Sequence, residues 1–142
     1  MQRTLWRDEY RIGVDRIDRE HAAICAIMER FLGAMDDGAD APVVAAIFRQ
    51  LRDTLEEHFH SEERYLRDAG YPAAAAREHL EQHRDVLFTL DHEFDTWAAT
   101  ARGPEYGGPM ARMCIWVWHE LIRADLDVKR RLDAMKQAPA EA

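Results

Sequence analysis

No stretch of this 142-residue chain approaches 18 consecutive apolar residues, so it holds no helix that would span a membrane. The N-terminus, MQRTLWRDEYRIG, has no continuous apolar run either, and no secretory signal is visible. Cysteine is scarce. Cys25 and Cys114 stand far apart inside apolar helical patterns, which excludes a disulfide framework and a zinc ribbon. They read as packed thiols of a cytoplasmic protein, with at most a single disulfide between them. Positive charge is also short: 19 Lys and Arg face 27 Asp and Glu, for a net charge of -8. That balance excludes a general nucleic-acid binder, which needs a basic face to displace counterions, and it disfavours docking on anionic lipid. Alternation of the strand type is absent throughout.

The hydrophobic fraction of 47% with four Trp is too rich for a disordered chain, and the length suits one domain over 1–142. Residues 1–17 mix aromatics and charges without a clean period and read as an arm. Asp18 is expected to cap a helix over 18–35 that stops at Asp36-Asp37-Gly38. Pro42 suits the start of a second helix over 42–68, with Asp40 as its cap. Val44, Ile47, Phe48, Leu51, Leu55, Phe59 and Leu66 carry its 3.6 period to Gly70-Tyr71-Pro72. A third helix is expected over 73–100, with Leu80, Val86, Leu87, Leu90, Phe94 and Trp97 on its apolar side. Gly103-Pro104 and Gly107-Gly108-Pro109 mark a loop, and a fourth helix follows over 110–135. The predicted fold is all-α, an up-down-up-down four-helix bundle with an N-terminal arm.

Seven histidines are the odd feature of the composition. His58 and Glu62 are four apart in HFHSEE, and His79 and His83 are four apart in HLEQH, so each pair projects from one helix face. Both pairs continue apolar rows, which points them into the core. A lone inward histidine is usually a hydrogen-bonded core residue. Four of them together with inward carboxylates, on separate helices, need partners that a bound metal supplies at once. Zinc in a structural site favours thiolates, and calcium and magnesium favour oxygen-only shells. Imidazoles mixed with carboxylates, too many for one tetrahedral ion, suit a carboxylate-bridged pair of iron or manganese ions. A ferritin-like centre requires two Glu-x-x-His motifs and only Glu57–His60 occurs here. His60 and His92 read as surface residues.

The ordered set Trp6, Tyr10, IGVDRIDREH ending at His21, HFHSEE at 58–63, GYP at 70–72, HLEQH at 79–83 and WVWHELIRAD at 116–125 resembles the bacterial hemerythrins. The resemblance spans 6–125 and implies a non-haem di-iron centre in a four-helix bundle. It implies that His21 and His58 hold one iron, which carries the open position for dioxygen. Glu62 and Asp125 would bridge the irons, and His79 and His83 would hold the second with a last-helix histidine, an oxo or hydroxo group completing the pair.

The last helix departs from that pattern. The position five before Asp125 is Glu120, while His119 is one residue early. The apolar residues Cys114, Val117, Leu121, Ala124, Val128, Leu132 and Met135 define its buried stripe. At about 100° per residue, Glu120 and Asp125 flank that stripe and His119 lies nearly opposite, so periodicity prefers Glu120 as the ligand. His119 could serve instead through a local π-bulge, and a third possibility leaves both out. With Glu120 bound, three carboxylates would face two irons, favouring the ferric state and less reversible oxygenation. The resemblance also implies a dry ligand pocket, with Ile24, Phe59, Val117 and Leu121 as its lining and Trp116 within it or at its rim.

Three function classes follow: a dioxygen-binding protein for storage, delivery or sensing; a di-iron oxidase, peroxidase or nitric oxide-handling enzyme; and a structural or partner-binding bundle. No motif for a nicotinamide, a flavin or another reductant appears, which favours binding over turnover.

Overall fold

A computed structural model describes residues 6–100 and 107–137. Four long helices carry the fold: α1 over Asp15–Asp36, α2 over Ala41–Asp68, α3 over Ala73–Thr100 and α4 over Gly107–Gln137. α1 packs on α2 and α4, and α3 packs on the same two, so the helices close a ring in chain order. The described residues contain no strand, and no described helix is long and apolar enough to cross a membrane.

The turns have local causes. After α1, the N–H of Ala39 bonds Ala34 O at 2.9 Å and that of Gly38 bonds Met35 O at 3.2 Å. After α2, Tyr71 bonds Leu66 O at 2.9 Å and Gly70 bonds Arg67 O at 3.1 Å. Both are Schellman closures, which need a residue of positive φ at their hinge; Gly38 at 69° and Gly70 at 75° supply it. Tyr71 and Leu66 then pack together, so the second turn is sealed by apolar contact as well.

Two expected helix starts move by three residues. Asp18 is not the cap of α1, which begins at Asp15 after Val14. Its buried carboxylate instead accepts from the backbone N–H of Ile12 at 2.8 Å and Gly13 at 3.2 Å, tying the arm to the helix. The arm contains a short 3-10 turn, Asp8–Tyr10, and Trp6 and Tyr10 pack against the core. α4 begins at Gly107, so the expected loop at Gly107-Gly108-Pro109 is helix; a proline in the first turn forfeits no intrahelical bond. Gly103-Pro104 lies outside the described residues. Asp40 does occupy the cap position of α2, although its side chain makes no capping bond.

The apolar interior is split. A large cluster built on Ile24, Met28, Phe31, Phe48, Leu51 and Leu90 fills most of the bundle. A small one of Leu66, Tyr71, Val128 and Leu132 fills the end beside the α2–α3 turn. On α2 the boundary falls between Phe59 and Leu66, and on α4 between Ile122 and Val128. Buried polar residues occupy the layer between.

Candidate metal centre

Each helix contributes to that polar layer. α1 supplies His21, α2 supplies His58 and Glu62, α3 supplies His79 and His83, and α4 supplies Asp125, all of them buried. They form two groups of four that share Glu62 and Asp125: His21 and His58 complete the first, His79 and His83 the second. Within each group one ligand atom per residue lies within 4.8 Å of all the others.

The contacts are close but poorly matched as hydrogen bonds. His21 Nε2 lies 2.6 Å from Asp125 Oδ2 and 3.1 Å from His58 Nε2. His58 Nε2 lies 3.0 Å from Glu62 Oε2. His79 Nε2 touches Glu62 Oε1 and lies 3.3 Å from Asp125 Oδ1, while His83 Nε2 is 3.7 Å from Glu62 Oε1. Yet Glu62 Oε2, His83 Nε2 and both carboxylate oxygens of Asp125 are buried without a hydrogen-bond partner, as is His21 Nδ1 on the outer side of its ring. An unsatisfied buried polar atom costs about 1–3 kcal/mol, more when charged, so the four on the inner side need a common explanation. Lone pairs that converge on shared points rather than on donors provide it. Two cations would fit this donor set, with Glu62 and Asp125 common to both groups.

The electrostatics of the bare layer agree. Burial works against a charged His58, but Asp125, Glu20 and Glu62 together hold its pKa well above the ordinary imidazole value. The same opposition leaves His79 raised to about 10 through Asp125 and Glu62. His83 is pushed down to about 3 by burial and by the neighbouring charge of His79. Asp125 is held well below the usual carboxylate range despite its burial, because His21, His58 and His79 surround it. Without a cation the layer therefore keeps protons on His58 and His79, and a metal would have to displace them.

Outer partners aim the rings. Glu20 accepts from His58 Nδ1 at 2.8 Å and Glu63 from His83 Nδ1 at 3.4 Å, which leaves each Nε2 facing inward. Phe59 stacks on His83 at 3.9 Å between centroids, and Trp118 sets its edge to His21 at 6.4 Å. The sequence patterns gave no sign of Glu20, Glu63 or Trp118. Their only signal is a contact between helices, which periodicity along one helix does not carry.

Six of the seven expected ligands come together; Glu120 does not. Its side chain is 32% exposed, and its Oε2 sits 2.5 Å from Arg123 Nη2, one turn further along the same helix flank. The guanidinium gives the carboxylate a charged partner near solvent, away from a layer already holding two carboxylates. The bulge alternative fails as well, since α4 runs as regular α-helix past His119, which is exposed. His60 and His92 are exposed, as expected. The α4 stripe is buried except for Met135, at 38% exposure, near the helix end.

A cavity of about 110 Å³ opens between α3 and α4 and reaches His83 and Asp125. Phe59, Trp116, Leu121 and Glu120 line it. The pocket expected beside His21 and His58 is thus found beside His83. Ile24 and Val117, fully buried in the large cluster, do not line it. Trp116, 42% exposed, stands at the rim; the fully enclosed tryptophan is Trp118.

The chain matches the hemerythrin HHE cation binding domain over residues 12–123. It is similar to the bacteriohemerythrin of Pseudomonas aeruginosa (strain LESB58), 27% identical over 141 residues, covering 99% of this chain and 87% of that one. It is 28% identical over 78 residues to the bacteriohemerythrin of Stenotrophomonas maltophilia (strain R551-3), covering 55% of this chain and about half, 50%, of the relative's length. The bacteriohemerythrin of Clostridium acetobutylicum is 32% identical over 72 residues, 47% of this chain and 54% of that one. No solved structure matches the chain at the same stringency.

Proposed function

This chain belongs to the hemerythrin family of cation-binding domains, and from that premise we propose that it is a non-haem di-iron protein that binds dioxygen. The observation that carries the reading is the pair of four-residue groups sharing Glu62 and Asp125, with four inward-facing atoms that have no hydrogen-bond partner. His21 and His58 would hold one iron, His79 and His83 the other, and Glu62 and Asp125 would bridge them. Such a pair supplies two electrons reversibly to a small oxidant, chemistry that imidazole and carboxylate ligands suit.

The protein's own part is positioning and exclusion. Glu20 and Glu63 fix the rings of His58 and His83, so the ligand nitrogens meet the metals without reorganisation. His21 and His58 are themselves fully buried, with Trp118 packed on His21, which shields that half of the site from bulk water. With Glu120 turned to Arg123, two carboxylates rather than three face the irons, and the centre is less biased to the ferric state than a three-carboxylate shell would be.

A di-iron oxidoreductase is the second reading, and one observation favours it: the cavity beside His83 has a carboxylate, Glu120, in its wall. A group there could exchange protons with an entering peroxide. Iron analysis with optical spectra through repeated oxygenation and deoxygenation separates the two. The oxygen-binding reading expects two irons per chain and a visible band that returns to baseline in every cycle. Irreversible bleaching with consumption of added peroxide favours the enzyme, and a protein that takes up no iron sinks both.

A further inference from the structure

The two cation groups differ in their access to solvent, and the second has a feature that a closed ligand shell does not need. The cavity between α3 and α4 ends on His83 and Asp125, two of the four residues of the second group. His83 is 4% exposed, and its Nε2 has no hydrogen-bond partner, as is true of both oxygens of Asp125. The inner wall therefore ends in unpartnered ligand atoms. At about 110 Å³ the cavity has room for a small anion with solvent beside it. Four protein ligands also fall short of the six that iron among imidazoles and carboxylates readily takes.

Glu120 stands on the wall of this cavity with its carboxylate turned outward to Arg123. Arg123 is itself exposed, at 60%, so the pair is held in solvent, where ion pairs are weak and easily parted. Because Glu120 lines the same cavity as His83 and Asp125, parting this pair frees its carboxylate to turn into the cavity. There it would meet the second cation at the position an incoming anion would use.

We propose that the second cation carries an exchangeable small-anion site and that Glu120 is its shutter, parked on Arg123 when the site is open. The inference rests on the two-cation reading above and adds to it a ligand class, a place and a controlling pair. A small anion such as azide, or hydroxide from water, enters past Trp116 and binds while Glu120 is parked. When Glu120 turns inward it excludes the anion. Arg123 sets the balance between the two states, because it interacts with the carboxylate only in the open one.

The test loads the full chain with cobalt(II), which takes the place of iron(II) among these ligands, and counts the ions before azide is added. Azide is then titrated by cobalt absorption and by calorimetry in the wild type and in three variants. Glu120→Ala removes the competitor and should tighten azide binding by about tenfold, the scale on which a lost neighbour acts at a metal site. Arg123→Ala removes the parking place and should weaken it several-fold. Glu120→His places an imidazole where the carboxylate closes, and should abolish the phase that the other two variants shift. Both positions reach solvent, so folding is not at stake. Azide affinity indifferent to all three substitutions overturns the shutter, and so does tighter binding in Arg123→Ala. Uptake of fewer than two cobalt ions overturns the two-cation reading itself, and is seen before any azide is present.

Discussion

The two halves of the centre use the same residue types and share two carboxylates, yet they are built differently. His21 and His58 sit at 0% and 1% exposure, with Trp118 packed against His21. His79 and His83, each at 4%, come from α3 and stand beside a cavity that Glu120 borders. The first half is framed by the large apolar cluster and by Glu20 at 2.8 Å; the second has a longer outer bond, 3.4 Å to Glu63, and a solvent path. Burial and outer hydrogen bonds thus give one half rigidity and leave the other accessible. One donor set can hold a cation tightly and admit a ligand next to it.

The largest test of this contrast removes what the halves have in common. Asp125→Ala should abolish binding of both cations, whereas His21→Ala and His83→Ala should each lose one, as counted by metal analysis. A variant at position 125 that still holds two ions would break the picture of a shared bridge. Chelation comes next. Each site filled at about 100 times its Kd adds about 2.7 kcal/mol, so stripping both should lower Tm on the order of 15 °C for a chain of this size. A Tm unmoved by chelation would mean that the layer holds together without cations.

Outer partners should give smaller effects. Glu20→Gln should weaken the His21–His58 cation by about 10–100-fold, and Glu63→Gln should cost the other cation less, because its bond is longer. Competition with a chromophoric chelator reads both; equal losses would show that bond length does not distinguish the halves.

Smallest is the pH response of the metal-free protein. His79 is raised to about 10, so the stability it contributes is complete below the ordinary imidazole value of 6.5 and is lost as pH climbs toward 10; His58, also raised, acts in the same sense. His83, lowered to about 3, stays neutral in the fold while the unfolded chain takes up a proton, so it destabilises as pH falls from 6.5 toward 3. Denaturation midpoints of the metal-free chain should peak near neutrality and fall on both sides. His83→Gln should flatten the acid side, and an acid limb that stays equally steep would reassign it to other groups.

The fold and the pairs His58–Glu62 and His79–His83 were legible because each leaves a periodic trace on its own helix, whereas His21 entered with the family resemblance. Leu51, Leu55 and His58 follow one row, and Val117, Leu121 and Asp125 border another. Glu120 lies on the expected flank and on the wall of the cavity, but it is paired outward: an angle of about 100° per residue places a side chain on a flank and does not say which neighbour its charge will choose. Arg123 decided that, and an i,i+3 pair is as visible in the sequence as the stripe is. The bounds of α1 were misread because Asp18 has the chemistry of a cap, and it does bind backbone N–H groups, but those of the preceding arm at Ile12 and Gly13. The placement of the cavity came from packing between helices, which no single-helix pattern records.

The split interior has a consequence for how the molecule comes apart. Leu66, Tyr71, Val128 and Leu132, with a few partners at the α2–α3 turn, are too few to form a cooperative unit of their own. The polar layer lies between them and the large cluster, with α2 and α4 running through both. In amide-exchange terms the cations act as the coupling between two folding units: with them in place, the turn end should open only when the whole bundle does. Without them, the amides around Leu66 and Val128 should exchange by a local opening while those around Phe31 and Leu51 stay protected.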